Sequence, residues 1–123
     1  MKLLLVEDGE GFKKMVEYWM KDSPYIIDYA NTGEEAIFLL NKDHYDLVLI
    51  DFFLPFISGV QVHDYIVKHC TETRMIIMSN HLKYVEHLER IKYKYDKPYT
   101  EKRFIEILEE VEQMERDRTN ENI

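Results

Sequence analysis

Along this chain, short unbroken apolar runs alternate with stretches where apolar residues return every three or four positions. The first pattern suits a strand covered on both faces, the second a helix with one buried stripe. "KLLLVE" (2–7), cut off by acids and Gly9, predicts a first strand. Phe12, Met15, Val16, Trp19 and Met20 then recur at i, i+3, i+4, i+7 and i+8, a helical stripe that the Ser-Pro pair at 23–24 breaks. "YIIDYA" (25–30) predicts a second strand, and in "NTGEEAIFLL" (31–40) Thr32 and Glu35 have capping-box spacing at the start of a second helix. "DLVLID" (46–51) is a third strand, and "SGVQVHDYIVKH" (58–69) a third helix with Val62, Ile66 and either Val67 or Cys70 facing inward. "RMIIMS" (74–79) is a fourth strand, and "HLKYVEHLERI" (81–91) a short helix with Leu82, Val85 and Leu88 at loose helical spacing. "YKYD" (93–96) is a brief fifth strand, and Thr100 caps a last helix whose stripe is Phe104, Ile105, Leu108 and Val111. Five strand–helix units in succession predict an α/β domain: a doubly wound, five-stranded parallel sheet with helices on both faces. Residues 115–123 carry charge without periodicity and are expected to fray, leaving one domain over 1–118 and a frayed tail over 119–123.

Composition narrows the function. At 123 residues, 46% apolar and 13% aromatic, the chain can bury a core, and four Gly and three Pro argue against a fibrous or disordered polypeptide. No apolar run approaches the length of a membrane span, and "MKLLLVED" lacks the length and cleavage region of a signal peptide. The single cysteine, Cys70, fits a reducing cytoplasm. A formal net charge of -8 with no Lys/Arg stripe argues against direct nucleic-acid binding.

Candidate chemistry falls at the strand ends. In a doubly wound sheet, ligands bind beyond the carboxyl ends of the strands. Strand one ends on Glu7 and Asp8, strand three on Asp51, strand four on Ser79, and strand five runs into Lys97. Carboxylates held that close raise each other's pKa unless a cation lies between them, and oxygen ligands alone suit a hard ion, with Mg²⁺ the abundant candidate. Lys97 adds positive charge and Ser79 a hydroxyl. That set is arranged to hold a phosphoryl group while a carboxylate attacks it, giving an acyl phosphate.

These residues resemble the receiver domain of two-component response regulators, whose type case is the single-domain chemotaxis regulator. Glu7 and Asp8 match the family's acidic pair, Asp51 its phosphoacceptor, and Asp51, Pro55 and Gly59 its D-x-x-x-P-x-x-x-G pattern; Ser79 and Lys97–Pro98 match its hydroxyl and Lys-Pro positions. The match covers essentially the whole chain. It implies a flavodoxin-like topology, Mg²⁺ bound by Glu7, Asp8, Asp51 and the backbone carbonyl of Phe53, a histidine kinase or phosphotransfer protein as phosphodonor, and a cis Lys97–Pro98 bond. With no effector domain in the 123 residues, output is expected through protein contact with an unidentified target. Three departures stand out. Asn80 replaces a small residue, Lys94 occupies the usual aromatic switch position between Tyr93 and Tyr95, and the Ser79–Lys97 interval is short by roughly one helical turn, which implies a trimmed fourth helix.

Other readings of the chain were weighed. Asp51 alone reads as a strand-end carboxylate, and only its company changes that. His63 and His69, like His81 and His87, are six apart rather than the four that puts two imidazoles on one helix face, so ordinary histidines are favoured over a metal site. Asn80 and the displaced aromatic motivate an alternative, a phosphorylation-independent interaction module on the same scaffold. A Mg²⁺-dependent phosphohydrolase ranks last, because Phe53 stands where such enzymes place a second acid.

Overall fold

Apolar residues on both sides of each central strand require cover above and below, and the fold supplies it. A computed structural model describes residues 1–121. Strands β1 (Lys2–Val6), β2 (Ile26–Ala30), β3 (Leu47–Asp51), β4 (Arg74–Ser79) and β5 (Lys94–Asp96) pair in parallel in the order β2-β1-β3-β4-β5. Leu3, Leu5, Leu47 and Leu49 face helices α1 (Glu10–Trp19) and α4 (Glu101–Glu121), packing on Phe12, Val16, Phe104, Ile107 and Val111. Leu4, Val6, Val48 and Ile50 face α2 (Gly33–Lys42) and α3 (Gly59–His69), meeting Ala36, Leu40, Val62 and Ile66. The doubly wound flavodoxin-like sheet is therefore present, and its strand order reverses between β1 and β3, the position at which such sheets bind ligands. No helix among the described residues is long and apolar enough to cross a membrane.

Local chemistry fixes the helix starts. Thr32 Oγ1 accepts from the Glu35 N–H at 3.1 Å, but the Glu35 carboxylate accepts from Asn31, one residue before its expected partner. The full capping box lies at α3, where Ser58 Oγ accepts from the Gln61 N–H (3.2 Å) and Gln61 Oε1 from the Ser58 N–H (2.9 Å). Thr100 caps α4, accepting from the Arg103 N–H at 3.1 Å.

The interval between β4 and β5 departs most from the periodicity. In place of a fourth α-helix it holds one 3₁₀ turn, Leu82–Tyr84. Leu82, Val85, Leu88 and Ile91 recur every three residues, the 3₁₀ period, and Val85, Leu88 and Ile91 each donate an N–H to the carbonyl three residues before. Lys94 Nζ then donates to the carbonyls of Glu86 (3.1 Å) and Leu88 (2.8 Å), satisfying groups that an α-helix would have paired internally.

Other elements differ in detail. In α4 the fully buried positions are Phe104, Ile107 and Val111, with Ile105 and Leu108 at the margin. Of the two alternatives on α3, Val67 is exposed and Cys70 half-buried. Residues 115–121, read as fraying, are helical, held by contacts such as Arg118–Glu115 (3.0 Å) and Gln113–Asp117 (2.9 Å) one turn apart; residues 122 and 123 lie outside the described residues. The Lys97–Pro98 bond is trans rather than cis, as are all described peptide bonds, the isomer an X-Pro amide itself modestly prefers.

Gly59 positions the site directly. A Cβ there would lie 2.4 Å from the Asp51 carbonyl oxygen and 2.9 Å from Phe52 Cα, backbone atoms that cannot turn away. Gly59→Ala should therefore lower unfolding free energy by about 1–3 kcal/mol in urea titrations. Unchanged stability would mean that the start of α3 can shift away from β3.

Candidate functional site

Parallel register sets the site. Val6 pairs with Ile50, so Glu7 and Asp51 leave the sheet side by side, both buried, with Asp8 exposed one residue on. One carboxylate oxygen from each of the three lies within 4.8 Å of the other two, the only such metal-capable cluster among the described residues. Ser79 pairs with Asp96 in β5, which delivers Lys97 to the same edge. Lys97 Nζ stands 2.6 Å from Glu7 Oε2 and 3.5 Å from Asp51 Oδ2, above the Phe12 ring at 4.6 Å from its centroid.

Charge is tightly confined here. Burial, then the neighbouring Glu7 carboxylate, pushes Asp51 up to about 6 against the opposing pull of Lys97 and of the Phe53 N–H, which donates to Asp51 Oδ1 at 3.2 Å. Burial alone lowers the Lys97 ammonium, but Glu7 and Asp51 outweigh it and the net direction is upward. Glu7 Oε1 accepts from the Gly9 N–H at 2.9 Å, whereas Oε2, despite the nearby ammonium, has no aligned hydrogen-bond donor. A buried oxygen with spare acceptor capacity, beside two more carboxylates and no nitrogen or sulfur ligand, fits a hard divalent cation.

The remaining predicted residues sit around this core. Ser79 is fully buried at the end of β4, but its hydroxyl is engaged by its own turn, donating to the His81 carbonyl (3.0 Å) and accepting from the His81 N–H (3.2 Å). Phe53, two residues after Asp51, is 53% exposed. Asn80 is exposed and accepts from the Tyr99 hydroxyl at 2.7 Å, joining the loops after β4 and β5. Tyr93 and Tyr95 both face the α1/α4 side, and Lys94 faces the opposite one. Buried His63 contacts Asp64, exposed His44 lies near Asp46, and neither joins an acidic cluster.

Comparison with known proteins gives this geometry a family. The profile of the response regulator receiver domain matches residues 3–109. The chain belongs to the response regulator receiver family. Among relatives of this receiver, the Escherichia coli transcriptional regulatory protein HprR is 34% identical over 62 residues, which are 50% of this chain and 28% of HprR. Hybrid signal transduction histidine kinase B of Dictyostelium discoideum is 42% identical over 60 residues, 49% of this chain and 3% of the kinase. The chain thus spans less than a third of either relative. The response regulator TrrA of Thermotoga maritima, solved in complex with Mg²⁺-BeF, superposes with a TM-score of 0.79 at 28% identity, covering 91% of this receiver and 96% of TrrA.

Sequence reasoning missed two features of the receiver site. Phe12 reads as plain core but floors the Lys97 ammonium, and its place in the first turn of the helix after the acidic pair is the only signal. The row of rings from Phe53 to Tyr84 (5.3 Å between centroids) joins residues 31 positions apart, a contact no local pattern announces.

The raised Asp51 pKa has a sign for stability. The protonated form of Asp51 is favoured in the fold, so its stabilising contribution is complete below the ordinary 3.8 and is lost as pH rises through about 6. With divalent cations chelated, Asp51→Asn should be more stable than wild type by about 1–2 kcal/mol near pH 7.5, the gap closing toward about pH 4.5. Urea unfolding at both pH values measures this, and a gap that widens in acid would contradict it.

Proposed function

We propose that this receiver accepts a phosphoryl group on Asp51 from a phosphohistidine and signals through the resulting change of surface. The observation that carries the reading is the buried Asp51 carboxylate facing the Lys97 ammonium, with Glu7 and Asp8 alongside. In the transfer, an Asp51 oxygen attacks phosphorus, the P–N bond to the donor imidazole breaks, and the ring nitrogen leaves with the electron pair. Lys97 offsets charge on the phosphoryl oxygens. A magnesium ion held by Glu7, Asp8, Asp51 and the Phe53 carbonyl would supply further positive charge there, a reading supported by the Mg²⁺-BeF complex of TrrA.

The donor is a histidine kinase or phosphotransfer protein of the cytoplasm, and similarity to receiver-bearing histidine kinases supports that choice. The receiver is an acceptor rather than an enzyme acting on a separate substrate, and its acyl phosphate is lost to water. Ser79 is the group that answers the modification: drawn toward a phosphoryl oxygen, its hydroxyl gives up the two His81 contacts and frees that turn.

Intact mass after incubation with acetyl phosphate tests the reading. One added phosphoryl group is expected on wild type with Mg²⁺, and none on Asp51→Ala or in chelator. An adduct on Asp51→Ala, or none on wild type under any condition, would overturn it. Phe53 also shades the approach of water, so Phe53→Asn should lose its phosphoryl group several-fold faster than wild type. Equal decay rates would remove that role from the ring.

A further inference from the structure

Four rings run in a row from the end of β3 to the segment after β4. Phe52 and Phe53 meet edge-on at 4.8 Å, Phe53 and Tyr84 at 5.3 Å, and Tyr84 and His81 at 5.6 Å, with interplanar angles of 82°, 83° and 73°. Edge-to-face contacts at these separations are attractive. Members on both sides of the Phe53–Tyr84 contact are tied to the site. The Phe53 N–H donates to Asp51, and the His81 backbone holds the Ser79 hydroxyl from both sides. Through the sheet, Asp51 pairs with Met78, and the Phe52 N–H donates to the Met78 carbonyl at 2.8 Å. Asp51 and Ser79 are therefore linked twice, once by strands and once by rings.

Tyr84 is the ring that crosses the gap. It stands on the 3₁₀ turn, which is held in place because Asp96 Oδ1 accepts from the Leu82 N–H (2.8 Å) and Lys94 holds the carbonyls of Glu86 and Leu88. Phe53 is more than half exposed and has two aromatic neighbours among the described residues, so losing Tyr84 leaves Phe52 as its one aromatic contact.

We infer that Tyr84 is a positioning residue that braces the Phe53 ring at the rim of the site and so lengthens the life of an acyl phosphate on Asp51. The lifetime effect rests on the phosphoacceptor reading above. In the decay step a water oxygen bonds to phosphorus and the bond from phosphorus to the Asp51 oxygen breaks. Inorganic phosphate and a free carboxylate result, with the water proton passing to solvent. Tyr84 touches none of these atoms and acts by keeping Phe53 in the path of the water.

The test follows decay of the adduct formed with acetyl phosphate and Mg²⁺, after removal of the donor. Tyr84→Ala should shorten the lifetime about threefold to tenfold, the range over which one aromatic contact shifts a ring between two positions. Tyr84→Phe should restore it, because the ring and not the hydroxyl is the brace. Phe53→Ala with Tyr84→Ala should decay no faster than Phe53→Ala alone. A wild-type lifetime in Tyr84→Ala, or an undiminished effect of that change in the Phe53→Ala background, overturns the inference. Absence of any adduct on wild type would sink the phosphoacceptor reading and the lifetime effect with it. Amide hydrogen exchange at Phe53 and His81 in the unphosphorylated protein then decides on the brace itself. Faster exchange in Tyr84→Ala but not in Tyr84→Phe supports it, and no change overturns it.

Discussion

Mutual repulsion among Glu7, Asp8 and Asp51, set against the single ammonium of Lys97, is the constraint around which this domain is arranged. Like charges this close, two of them buried, would drive strand ends apart in any scaffold that could yield. Parallel pairing on either side of β3 prevents that, because the strand ends are locked in register by backbone hydrogen bonds. Lys97 reaches the acids from the far side of β4, and the Phe12 ring gives its ammonium an electron-rich surface. Three carboxylates against one ammonium leave two negative charges unmatched, which is the charge of one divalent cation.

The polar contacts near the site divide the loops into two kinds. The loop after β3 is pinned by main-chain contacts and by the close approach of Gly59 to Asp51. The segment after β4 is held mainly through side chains: Ser79, Asp96 and Lys94, with Arg90 paired to Asp64 on α3 at 3.1 Å. In this receiver the residue at the usual aromatic position is a lysine that binds carbonyls, and the flanking Tyr93 and Tyr95 pack on the opposite face. Other rings, Phe53, Tyr84 and His81, lie along the two loops beside Asp51.

Much of this was legible in the sequence, for identifiable reasons. The central strands β1, β3 and β4, covered on both faces, read as unbroken apolar runs and appear where those runs are, while the edge strands β2 and β5 carry polar residues and were legible from their place between helices. The acids and Lys97 were legible because a parallel sheet brings every strand's carboxyl end to one edge, so position along the chain predicts proximity. The segment from Leu82 to Ile91 was misread because apolar residues three apart suit one turn of an α-helix, and only over the full ten positions does a strict three-residue period swing to the opposite helix face; Lys94 and Asp96, reaching from another strand, hold the tighter turns. The direction of the Ser79 hydroxyl was hidden for a different reason. A side chain at a strand end chooses among partners within a few ångströms, and sequence ranks none of them.

The different attachments of the two loops give Asp51 a floor held by main chain and a roof held by side chains. Below Asp51, moving the backbone means breaking sheet pairing or driving α3 away through Gly59, with main chain opposing main chain. Above it, the segment after β4 is held by side chains: Asp96 and Lys94 bind its backbone, and Val85 and Ile91 are buried in the α2/α3 core. Displacement of the carboxylate therefore meets strand pairing on one side and side-chain packing on the other. That asymmetry is built into the fold before anything binds.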